Sequence, residues 1–103
     1  MNRTENIEQI ALHYGYEPQS RQLVEEMAEL TVAINKLWRL SDSGDWTIFI
    51  NRKAECEMNI IEEIADVEIM LEQIKLLLNC GAKVEMVKDV KVKRQLERMY
   101  GDR

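Results

Sequence analysis

The chain has 103 residues, 46% hydrophobic and 32% charged, which suits one small soluble domain and excludes a disordered segment. One proline, four glycines and six aromatic residues are too few for a β-sandwich or barrel, whereas abundant Leu, Ile, Glu, Lys and Met suit helices. The net charge of −5 is uneven: residues 1–82 carry 7 basic and 15 acidic side chains, residues 83–103 carry 7 and 4, so a nucleic-acid polymer is excluded as partner while the basic tail suits a small anion.

The periodicity predicts an all-α protein of about four helices. Thr4 is a candidate N-cap for a first helix over residues 5–14, which stops at Gly15. "GYEPQS" reads as a turn, with Pro18 at a helix start, and a second helix covers residues 19–40. "SDSGD" at 41–45 breaks the pattern. A long helical stretch follows over residues 46–79, bent or interrupted near its start, with Gly81 as its C-terminal stop. The last helix covers residues 83–100. Short connections favour antiparallel neighbours, hence an antiparallel helical bundle. Cys56 and Cys80 are 24 positions apart on one helical segment, roughly 36 Å, too far to pair. Two unpaired thiols suit a reducing cytoplasm. "MNRTENIEQI" lacks the apolar core of a secretory signal, and no apolar run is long enough for a membrane span.

Two stretches nearly repeat one another: "VEEMAEL" at 24–30 and "IEEIADV" at 61–67. On a helical wheel, Leu23, Met27, Leu30, Ile34 and Leu37 form one apolar seam, and Ile60, Ile64, Val67, Leu71, Ile74 and Leu78 form another. Glu26 lies about 60° and Glu29 about 120° to one side of the first seam, and Glu63 and Asp66 repeat those offsets on the second. An antiparallel hairpin permits all four carboxylates at one cleft. At a separation of about 5 Å each like-charge pair costs roughly 3 kcal/mol at an effective dielectric near 20, a penalty that a hard divalent cation removes. All-oxygen carboxylate ligands suit Mg²⁺ or Mn²⁺. By spacing alone, the plainer reading is a solvated helix flank.

At these residues the sequence resembles the MazG-like family of the all-α NTP pyrophosphatases. The family carries Glu-x-x-Glu on one helix and Glu-x-x-Asp on the next, and "EEMAE" and "EEIAD" match that pattern. "QLVEEMAELTVAINKLWR" and "IIEEIADVEIMLEQIKLLL" resemble its two motif helices, and "KVKRQLERM" its final helix. The spacer from Leu30 to Glu62 is long for a small member. The resemblance implies that Glu26, Glu29, Glu63 and Asp66 are the Mg²⁺ ligands and the catalytic set. It implies cleavage of a nucleoside triphosphate between the α and β phosphates, giving a monophosphate and pyrophosphate. It also implies a homodimer or homotetramer whose clefts use residues from two chains.

Triphosphate charge calls for cationic and amide contacts. Lys36 and Gln22 share the stripe of Glu26 and Glu29, while Lys91, Lys93 and Arg94 resemble the family's phosphate-contacting segment; of the last helix, Lys91 and Arg94 are the candidates. Glu25 and Glu62 point away and read as solvated. His13 reads as a surface or capping residue, Trp38 and Trp46 as core caps or interface fillers, and the methionines as packing. A second apolar stripe, Ile61, Ala65, Ile69 and Leu76, calls for a partner chain or for cover by the first helix. The leading expectation is a cytoplasmic Mg²⁺-dependent nucleotide pyrophosphohydrolase. Phosphoribosyl-ATP pyrophosphatase of histidine biosynthesis and a non-catalytic helical interaction module are the alternatives.

Overall fold

The computed structural model describes residues 1–101 and shows four helices: α1 (Arg3–Tyr14), α2 (Tyr16–Asp42), α3 (Trp46–Leu77) and α4 (Gly81–Met99). The described residues contain no strand, as the composition requires. Among the described residues, no helix is long and apolar enough to cross a membrane.

The boundaries follow local chemistry and correct several expected ones. Asn2, not Thr4, caps α1: its Oδ1 accepts from the Glu5 backbone N–H at 2.8 Å. The turn after α1 shrinks to Gly15 alone, at φ 85°, so Pro18 lies inside the first turn of α2, where its missing N–H is harmless. Gly44 at φ 75° turns the chain again. Asp45 then starts α3 cleanly, its Oδ1 accepting from Thr47 and Ile48 at 3.0 and 3.1 Å. With that cap, α3 runs unbroken for 32 residues. Its stop is Asn79 in the left-handed region at φ 51°, and the expected stop, Gly81, instead begins α4. Cys56 in α3 and Cys80 before α4 are both free.

The hairpin of α2 and α3 is the body of the fold, and α1 packs on both of its helices. The better-covered residues recur at alternating steps of four and three: Gln19, Leu23, Glu26, Leu30, Ala33, Leu37 and Leu40 on α2, and Cys56, Ile60, Glu63, Val67, Met70, Ile74 and Leu77 on α3. That is the heptad rhythm of a knobs-into-holes seam. Both seams are rotated from their expected positions toward the acids. Met27 and Ile34, expected to face α3, are 42% and 40% exposed, as are Ile64 and Leu71 at 41%. Glu26 and Glu63 occupy seam positions that purely apolar patterning would deny them.

The register is pinned by one polar layer. Gln19 donates through Nε2 to Gln73 Oε1 at 2.8 Å, and Gln73 is the largest fully buried side chain. A buried polar pair that is satisfied in only one alignment is a recognised way to fix register. Facing residues then have indices summing to about 92, which sets Glu29 level with Glu63 and Glu26 level with Asp66.

The fourth helix stands apart from this body. α4 touches α3 alone and has no buried residue, so the four helices do not close into one bundle within the chain. The radius of gyration is 18.0 Å, against about 13 Å for a compact chain of this length. α1 lies beside the Ala65, Ile69 and Leu76 stripe, with Ile7 at its edge, yet leaves Ile61, Ile69 and Leu76 exposed.

Candidate functional site

Glu26 and Glu29 are one turn apart on α2, and Glu63 faces them from α3. The rotation of both seams brings one carboxylate oxygen of each within 4.8 Å of the other two. The environments of the three differ. Glu26 and Glu63 are partly buried in the seam, while Glu29 is exposed at its margin. Gln22, one turn before Glu26, donates through Nε2 to Glu26 Oε1 at 2.8 Å and so fixes that carboxylate. Glu26 Oε2 and Glu63 Oε2 are both buried and accept no hydrogen bond. Buried carboxylate oxygens without a donor are uncommon because each has given up water and received nothing in return.

The electrostatics agree with the geometry. The charge of Glu26, then that of Glu63, then desolvation, raise the Glu29 carboxyl above its ordinary value of 4.5, and hydrogen bonds to the same two glutamates add to this. A proton on Glu29 relieves that repulsion. Because the folded state binds this proton more tightly than the unfolded chain, its contribution to stability is complete below pH 4.5 and disappears as the pH rises through the raised value. The metal-free protein is therefore expected to lose melting temperature over that window relative to Glu29→Gln. A pH series of thermal melts on the two proteins, with chelator present, checks it; parallel profiles would remove the proton from Glu29.

Three of the four predicted ligands thus converge, and the fourth does not join them. Asp66 is level with Glu26 in the register but exposed, and its side chain is one methylene shorter, so it stays outside the 4.8 Å group. Of the predicted substrate contacts, Gln22 bonds to Glu26, and Lys36 lines a cleft of about 330 Å³ with Glu29 and Glu63. Ala28, Val32, Ala33 and Asn59 complete that cleft. Asn59 escaped the sequence reading although it precedes Glu63 by one helical turn, a spacing that puts both on one face. Lys91 and Arg94 are exposed on α4, which contacts neither α1 nor α2, so a single chain does not bring them to the acids.

His13, Glu25 and Glu62 fall where they were expected, whereas Trp38 and Trp46, at 63% and 70% exposed, do not cap the core. His13 is exposed in the last turn of α1, edge-on to Tyr14. Trp38 and Trp46 are both exposed, the second stacked on Phe49 at 5.6 Å beside the hairpin tip. Glu25 and Glu62 face solvent.

The donor set fits a hard divalent cation. Every converging group is a carboxylate oxygen, the preferred ligand of Mg²⁺ and Mn²⁺, and the two orphaned oxygens are the acceptors such an ion would satisfy. In comparisons with known proteins, no family model matches the chain, and neither does any curated protein or solved structure.

Proposed function

We propose that this chain is a cytoplasmic, Mg²⁺-dependent nucleoside triphosphate pyrophosphohydrolase that works as a homo-oligomer. The observation that carries the reading is the meeting of Glu26, Glu29 and Glu63 within 4.8 Å, with two of their oxygens buried and unpartnered. The same residues carry the resemblance to the MazG-like family, and Asp66 is the fourth ligand in that reading. Its two free cysteines suit a reducing compartment.

In the proposed reaction, water adds to the α-phosphorus, the bond from that phosphorus to the bridging oxygen breaks, and pyrophosphate leaves. Mg²⁺, when bound by the acids, would supply charge neutralisation of the triphosphate and acidify a water. The protein's own groups do the rest. Gln22 holds Glu26 in one orientation, so its free oxygen is presented rather than searched for. The charges of Glu26 and Glu63 hold the Glu29 carboxyl above its ordinary value, and a cation bound between the three would relieve that repulsion. Lys36, exposed in the adjoining cleft, draws in the polyphosphate.

Oligomer formation is supported by uncovered apolar surface. Met27, Ile34, Ile64 and Leu71 form a band along the hairpin, and Ile61, Ile69 and Leu76 a second one, all at least 39% exposed. Monomeric proteins seldom leave such contiguous stripes open. Burying them against a second copy gives a dimer or tetramer.

The test is a panel of NTPs, dNTPs and phosphoribosyl-ATP with Mg²⁺, assayed for pyrophosphate on the species resolved by size exclusion with light scattering. Release from free nucleotides by a dimer or tetramer is expected. Release from phosphoribosyl-ATP alone would transfer the protein to histidine biosynthesis, and no release from any substrate would leave a helical interaction module. A clean monomer would remove the oligomer.

A further inference from the structure

We propose that the cleft beside the acids receives the leaving pyrophosphate, with Lys36 and Asn59 as its phosphate contacts. This rests on the pyrophosphohydrolase reading and adds a direction to it: the phosphate chain runs from the acids toward the hairpin tip, and the nucleoside lies at the other end.

The order of groups along the groove carries the inference. Glu29 and Glu63 are level with one another, Asn59 comes next at the level of Ala33, and Lys36 follows. Glu29 and Lys36 are seven residues apart on α2, two turns on one face and about 10.5 Å of helix rise. A lysine stem leaning back along the groove shortens that gap to the length of a phosphate chain. Lys36 is the sole cation lining the cleft, and among the described residues it forms no ion pair. Asn59 is exposed on the wall of the cleft, where its Nδ2 can donate to a bound oxygen. The remaining lining, Ala28, Val32 and Ala33, is short and uncharged, so only the acids at one end repel phosphate. No aromatic side chain lines the cleft, so a base would find no ring to stack on. Two donors beside small side chains suit phosphate oxygens better than a purine or pyrimidine.

The experiment is titration calorimetry, with Mg²⁺ present, of two probes: imidodiphosphate, which mimics pyrophosphate and resists hydrolysis, and a nucleoside monophosphate. Lys36→Met and Asn59→Ala are each expected to weaken imidodiphosphate about tenfold, and Asn59→Asp by more, because it adds a repelling charge. Binding of the monophosphate and the Mg²⁺-induced rise in melting temperature should not change. A loss of monophosphate affinity with imidodiphosphate unaffected would overturn the proposal by placing the nucleoside in the cleft. Wild-type affinities for both probes in all three variants would remove the cleft from the site and leave the function standing. A wild-type protein that binds neither probe would overturn the proposal together with the function beneath it.

Discussion

Glu63→Gln should reduce pyrophosphate release by about 10²- to 10³-fold, the scale of several kcal/mol of charge stabilisation at the reacting phosphate. The same change should raise the melting temperature of the metal-free protein. The amide is isosteric, removes one of three crowded charges, and offers an N–H to the unpartnered oxygen of Glu26. Mg²⁺, which should stabilise the wild type, should do little for the variant. Lost activity with gained metal-free stability separates a metal ligand from a merely structural residue, whose removal lowers both. Glu68→Gln, an exposed acid on the same helix, is the control and should change neither. Melts with and without Mg²⁺, followed by an initial-rate assay, give the answer. An unaltered Mg²⁺ shift in Glu63→Gln would take Glu63 out of the metal site.

Gln73→Ala should be the most damaging single change to the fold, at about 2–4 kcal/mol. Part of that is the cavity left by a side chain only 2% exposed. The rest is the Gln19 amide, also buried, which loses its acceptor at 2.8 Å. Against a total of roughly 5–15 kcal/mol for a typical domain, the urea midpoint should fall visibly. The double variant Gln19→Leu, Gln73→Leu leaves no orphaned amide and should recover most of the loss. It should not recover metal binding in full. Gln19 lies seven residues, about 10.5 Å, before Glu26, and without the polar pair the seam can slip and separate the acids. A drop of under about 1 kcal/mol for Gln73→Ala would deny the pair its stabilising role.

Helix identity and order were legible in the sequence because periodicity and breakers are local. Gly15, Gly44 and Asp45 mark their turns by backbone and capping preferences that act within a few residues. Asn79 was passed over for Gly81 because either residue can end a helix, and only the backbone shows which one adopts positive φ. The pairing of Glu26 and Glu29 was likewise legible, since three residues on one helix are fixed neighbours.

Which face of each helix meets the other was not legible. Leu23, Met27, Leu30 and Ile34 read as one stripe, but a stripe that broad admits two seams about half a residue step apart. The structure takes the seam that admits Glu26 and Glu63, leaving Met27, Ile34, Ile64 and Leu71 outside. The sequence by itself determined four helices, the turns at Gly15 and Gly44 and the acidic pairs, because these depend on residues close along the chain. Only the tertiary structure decided that three carboxylates meet while Asp66 stands aside, that Asn59 joins Lys36, and that α4 packs on neither α1 nor α2. The physical reason is that rotation and register of packed helices are set by the summed fit of two surfaces, here closed by the buried Gln19–Gln73 bond, and no single segment contains that sum.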